Sequence, residues 1–176
     1  MFPVYGIAKS VTATTVKMVN VKELIKLIVS VLVCQLAGLI GSLATSVSVQ
    51  TWYATLTKPF FTPPNWLFAP VWITLYLLMG VAAFLVWRQG FEEPRVRRGL
   101  AIFGVQLFLN TLWSFAFFGL QSPLAGLVVI VLLWLAILLT ILTFSKISKP
   151  AAILLIPYLL WVSIAALLNA AILVLN

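Results

Sequence analysis

The sequence predicts an all-α integral membrane protein, a single bundle of five transmembrane helices. Three observations carry that prediction. Of 176 residues, 64% are hydrophobic and 8% charged, with a mean hydropathy of +1.19; a soluble domain is about 45–50% apolar and about 25% charged. The apolar residues gather into five runs, each near the ~20 residues that cross ~30 Å of hydrocarbon. Nearly all the charge falls between those runs or before the first one.

Residues 1–22 are basic, contain Ser and Thr and hold no acid. They loosely resemble a transit peptide but lack arginine, so a disordered tail, or a start at Met18, is expected. Residues 23–176 then form one membrane domain. Its spans are expected at about 24–47, 70–87, 99–118, 124–144 and 151–175. They must be helices, because an open sheet leaves backbone groups unpaired in lipid. The runs are also too long and too evenly apolar for the alternating strands of a barrel. Gly119 to Pro123 and Ser145 to Pro150 are short connections, with Pro150 placed to open the next helix. Short turns make successive spans antiparallel neighbours.

Charge also predicts orientation. Lys9, Lys17, Lys22 and Lys26 precede or enter span one, Arg88, Arg95, Arg97 and Arg98 join spans two and three, and Lys146 and Lys149 join spans four and five. All ten fall on one side, and Lys58 alone on the other. The positive-inside rule then expects a cytoplasmic N-terminus, with the C-terminus and first loop outside. A cell membrane is the expected location. The net charge of +8 is thereby explained without nucleic acid.

The spans exclude several chemistries. No Asp, Glu, Lys, Arg or His lies mid-span, which argues against a proton-coupled pump or transporter. The only acids are Glu23, Glu92 and Glu93, and histidine is absent, so neither paired-carboxylate catalysis nor a metal site is expected. Cys34 is the single cysteine, read as a small buried apolar residue. Gly38, Ser42 and Ser46 recur every four residues, as at a close helix contact within the bundle or between protomers.

The spans do carry aromatic and amide stripes. Trp72, Tyr76, Met79 and Ala83 share one helix face, as do Gln106, Asn110, Trp113 and Phe117, and Tyr158, Trp161, Ala165 and Asn169. One such stripe is ordinary helix packing glued by amides. Three together favour a shared interior pocket with apolar walls and a few polar anchors. Above them runs WYATLTKPFFTPPNWLFAPVW, residues 52–72, with seven aromatics and the prolines Pro59, Pro63, Pro64 and Pro70. Interfacial anchoring accounts for Trp52 and Trp66. Four prolines in twelve residues indicate a stiff lid, which has little entropy to lose on closing.

These motifs resemble the tryptophan-rich sensory protein/translocator protein family (TspO/MBR). The resemblance rests on WY-x-x-L-x-KP-x-x-x-PP, on P-V-W-x-x-L-Y-x-x-MG, on Gln106-Leu-x-x-Asn110-x-x-Trp113 with Phe117-Phe118-Gly119, and on Pro157-Tyr158-x-x-Trp161 with Leu168-Asn169. It covers about residues 35 to 176, in order. It implies a five-helix bundle, often a homodimer, that binds porphyrins and other flat apolar ligands beneath the first loop. Tyr53 and Pro63 would be lid residues, Trp72 and Tyr76 the span-two wall, Asn110, Trp113 and Ser114 the span-three wall, and Trp161, Ala165 and Leu168 the span-five wall.

The expected function is therefore a porphyrin-binding sensor or regulator, with a porphyrin such as protoporphyrin IX as ligand, membrane lipid around it and no required cofactor. Two alternatives accompany it. One is a light-dependent porphyrin-degrading enzyme, in which Trp72 and Trp161 would be the reactive indoles. The other is a porphyrin or lipid transporter. Departures from the family pattern are Phe61 where tryptophan is usual, Val129 near a usual span-four acid, and no Lys or Arg after Lys149. The last removes the usual C-terminal sterol pattern.

Overall fold

The computed structural model describes residues 20–176. Lys9, Lys17, Met18 and the rest of the basic stretch before Asn20 lie outside the described residues. Helix α1 runs Val21–Gln50, the one-turn α2 Trp52–Thr55, α3 Asn65–Trp87 and α4 Pro94–Ser114. One π-helical turn, Phe115–Gly119, continues α4. Then come α5, Pro123–Ser145, and the pair α6, Lys149–Leu154, and α7, Ile156–Leu175. Five of these stretches, counting α4 with its π turn and α6 with α7, are long and apolar enough to cross a membrane. The protein is a multi-pass integral membrane protein.

Caps set the helix ends. The Asn20 side chain accepts the Lys22 N–H at 3.1 Å and starts α1 at Val21, so residues 20–22 are cap and helix rather than tail. The second span begins at Asn65, not at Pro70, which stands inside α3. A proline near a helix start in a membrane bundle is tolerated, because neighbouring groups take up the freed carbonyl. Ser122 caps α5, its Oγ accepting the Ala125 N–H at 3.2 Å. The fifth span breaks at Leu155, two residues before Pro157, which has no N–H for the Ile153 carbonyl.

In the bundle, α1 packs on α3 and α4, α4 on α5, α5 on α6 and α7, and α3 on α6. Glycine permits the closest approach. A Cβ at Gly80 of α3 would stand 2.6 Å from the Cα of Val31 in α1. The core holds Cys34, Leu75, Met79, Val86, Leu133, Ile137, Phe144 and Tyr158. Leucines such as Leu36, Leu43, Leu132 and Leu139 point outward, as lipid-facing residues do. Ser42 and Ser46 are also exposed, each bonded to its own helix, so the buried small residues of α1 are Ser30, Cys34, Gly41 and Ser48 instead. At the basic end, Glu23 receives Lys26 at 2.9 Å and stands 3.4 Å from Arg88 of α3. The first loop, the π turn and Asn176 gather at the opposite end.

Candidate ligand site beneath the first loop

A hydrogen-bonded layer joins three spans. The Tyr76 hydroxyl of α3 donates to Asn110 Oδ1 of α4, and Asn110 Nδ2 reaches the Tyr158 hydroxyl of α7 at 2.9 Å. All three side chains are buried, so their pairing removes the cost of leaving polar groups dry. Tyr76 fits because Gly38 of α1 lies behind its ring. A Cβ there would stand 2.3 Å from a ring carbon.

Aromatic walls rise from this layer toward the loop. The Trp72 ring is 5.6 Å from Tyr76 and 6.4 Å from Tyr158. Trp161, one turn beyond Tyr158, meets Phe68 edge-on at 5.8 Å. Trp113 stacks on Phe117 at 5.7 Å and donates its Nε1–H to Asn169 Oδ1 at 3.3 Å. Asn169 in turn donates to the Pro123 carbonyl at 2.7 Å, fixing α7 to the start of α5. Among the described residues, Trp161 Nε1 is a buried donor without a partner, and both amide atoms of Gln106 are buried and unpaired one turn from Asn110.

The roof is built on the π turn. It buries three consecutive residues, Ala116, Phe117 and Phe118, which a straight α-helix would splay around its axis. Ser48 of α1 donates to the Phe118 carbonyl at 2.6 Å and holds the turn in place. Tyr53 is buried against this platform, 6.2 Å from Phe117 and 5.6 Å from Phe118. The Lys58 ammonium lies 4.7 Å from the Tyr53 ring centroid, a cation–π contact within one loop. Burial pushes the Tyr53 phenol above its usual value of 10.0.

The residues expected from sequence divide into two neighbouring clusters. Trp72, Tyr76, Asn110, Trp161 and Ala165 belong to the central layer and its walls. Tyr53 and Leu168 belong to the cluster under the loop, and Trp113 touches both. Pro63 is half-buried in the loop. Ser114 stands apart, on the α1 side of α4. Its Oγ is 3.0 Å from where a Cβ on Gly41 would be. Sequence reasoning left Phe68, Tyr158 and Asn169 out of the lining. Tyr158 and Asn169 were visible in the span-five stripe, and Phe68 continues the Trp72–Tyr76 stripe four residues earlier.

Beneath the loop these aromatic side chains pack against one another. Two open apolar grooves lie elsewhere. One of about 400 Å³ runs between α5 and α7 past Trp134 and Leu167, and one of about 250 Å³ lies among α1, α3 and α4 past Val29 and Leu100. Both open on the outer face of the bundle.

Five spans, an interior of aromatics and amides in place of charges, and a proline-braced aromatic loop over one end define a multi-pass membrane protein with an uncharged candidate site inside it. Sequence comparison narrows that class. The profile of the TspO/MBR family matches residues 30–175. The chain is 51% identical over 155 residues to the tryptophan-rich protein TspO of Archaeoglobus fulgidus, covering 88% of this chain and 99% of that one. It is 48% identical over 155 residues to the protein of the same name from Chlorobaculum tepidum, covering 88% and 98%. It is 38% identical over 136 residues to the translocator protein of Bos taurus, covering 76% and 80%. The chain belongs to the TspO/MBR family.

Proposed function

We propose that the protein binds a porphyrin or similar flat apolar ligand under its first loop and acts as a membrane sensor or regulator. The observation that carries the reading is Trp161. It is an indole in the wall of an aromatic cluster, its N–H buried and unpaired, one turn from the Tyr76–Asn110–Tyr158 layer. An unpaired buried donor is costly, and a ligand acceptor would relieve it. Flat aromatic walls with few polar anchors suit a macrocycle. Because these rings pack against one another, entry requires the Trp72–Tyr76 and Trp113–Phe117 pairs to part. The ligand edge then rests on the Asn110 layer.

The test is a titration of the protein in detergent with protoporphyrin IX in the dark, read by tryptophan emission. Saturable quenching with one porphyrin per chain and a micromolar Kd, about −8 kcal/mol, is expected. Quenching that rises linearly with porphyrin, as free chromophore absorbing light would give, removes the reading. The same proposal places the N-terminus in the cytoplasm and the loop outside, as the distribution of Lys and Arg supports.

A further inference from the structure

One side chain ties the first loop to the last turn of the fifth span. Asn176 Oδ1 accepts the Thr57 N–H at 2.9 Å, and Asn176 Nδ2 donates to the Thr57 carbonyl at 3.1 Å. The same Nδ2 also donates to the Ile172 carbonyl at 2.9 Å, which fixes the amide on its own helix. A carboxamide carries an acceptor and a donor side by side, so it can pair with both backbone groups of one residue. The result imitates one rung of a strand ladder, between residues 119 positions apart.

The attachment lies where it controls the loop. Immediately after Thr57 come Lys58 and Pro59, then a tight turn in which Thr62 bonds the Pro59 carbonyl through its N–H at 3.1 Å and its Oγ1 at 2.7 Å. Pro63 and Pro64 follow. Prolines and a closed turn make residues 59–64 a stiff strap that moves as a unit. Before Thr57, Tyr53 is plugged against Phe117 and Phe118. Between that plug and the strap, Thr57 is fastened by its backbone. Both Thr57 and Asn176 are exposed, so water can replace each bond and the fastening can be released.

We infer that Asn176 is the latch of the first loop, and that release of its pairing with Thr57 is the opening step for ligand entry and exit. The latch stands on the hydrogen bonds above. Its role in ligand passage rests on the proposed porphyrin reading.

Two measurements on the full chain in nanodiscs separate these claims. The first is backbone hydrogen exchange without ligand in wild type, Asn176→Ala and Asn176→Asp. Asn176→Ala is expected to speed exchange across residues 55–58 about tenfold, with α3 and α4 unchanged. Asn176→Asp keeps the acceptor for the Thr57 N–H and should fall between. Unchanged exchange in Asn176→Ala, or a rise shared equally by α3 and α4, overturns the latch. The second is stopped-flow protoporphyrin IX binding. Association and dissociation should both quicken in Asn176→Ala, leaving Kd within about twofold, because a gate changes rates more than the closed site. Faster exchange with unaltered rates overturns the gating role while the latch stands. Failure of wild type to bind porphyrin removes the ligand reading, and exchange still decides the latch.

Discussion

Tyr76 holds the interior layer together, and the two sides of its ring make separate predictions. Its hydroxyl supplies the hydrogen bond to Asn110 Oδ1. Tyr76→Phe leaves that acceptor unpaired inside the bundle and should cost about 1–3 kcal/mol, seen as a lower thermal unfolding midpoint in detergent. An unchanged midpoint would mean that Asn110 finds another donor. Its ring leans on Gly38, where a Cβ would come within 2.3 Å. Gly38→Ala should therefore destabilise by about 1–3 kcal/mol, as overpacking does. Gly104, with nothing within 4 Å of its added Cβ, is the control. Gly104→Ala should be neutral or stabilising by up to about 1 kcal/mol, since alanine favours helix. Equal losses in both would show a general intolerance of alanine rather than a packed ring. Tyr53 adds a pH dependence. Its phenol is raised by burial above 10.0, so its anchoring is fully present below pH 10 and lost as pH rises through the folded-state value. Loop exchange, corrected for intrinsic rate, should thus be flat from pH 6 to 9 and rise only in stronger alkali.

The helices themselves were legible in the sequence because hydropathy and length decide a span. Their ends were less so, because ends depend on caps and on what covers a freed carbonyl. Asn20 extends α1 back to Val21 through one side-chain hydrogen bond. Pro70 reads as a helix start, yet α3 begins at Asn65 and contains it, because a missing N–H so near a helix start frees a single carbonyl. The π turn at Phe115–Gly119 has no period of its own in sequence, where Phe117-Phe118-Gly119 enters only as a motif of the family resemblance. Between elements, Gly80 decides how closely α3 approaches α1. Its added Cβ would meet the Val31 backbone, 2.6 Å from Cα, so no side-chain rotation relieves the clash. Gly80→Ala should force the two helices apart and lower the unfolding midpoint more than Gly38→Ala, where a ring can shift. The reverse order would indicate that α1 moves freely against α3.

At the scale of the whole molecule, three stripes on separate spans converge because short connections force antiparallel packing around one axis. In the structure this brings Tyr76, Asn110 and Trp161, which spacing and family likeness together single out, into one cluster. Ser114 was not separable in the same way: it neighbours Trp113 in sequence, but a 100° step on a helix turns it to Gly41 of α1. The Asn176–Thr57 pairing had no sequence signal at all, since it depends on where the loop comes to rest. Orientation is testable in the same frame. In sealed right-side-out vesicles, with Cys34 replaced by alanine, Phe60→Cys should react with an impermeant maleimide and Arg97→Cys only after permeabilisation. The opposite labelling pattern would invert the topology.

The site itself is tested most directly by the porphyrin titration repeated on Trp72→Phe and Asn110→Ala. If the ligand sits on the Asn110 layer against the α3 wall, each variant should raise Kd about tenfold while still folding, equivalent to about 1.4 kcal/mol of lost binding. Quenching with an unchanged Kd in both variants would contradict a site beneath the first loop.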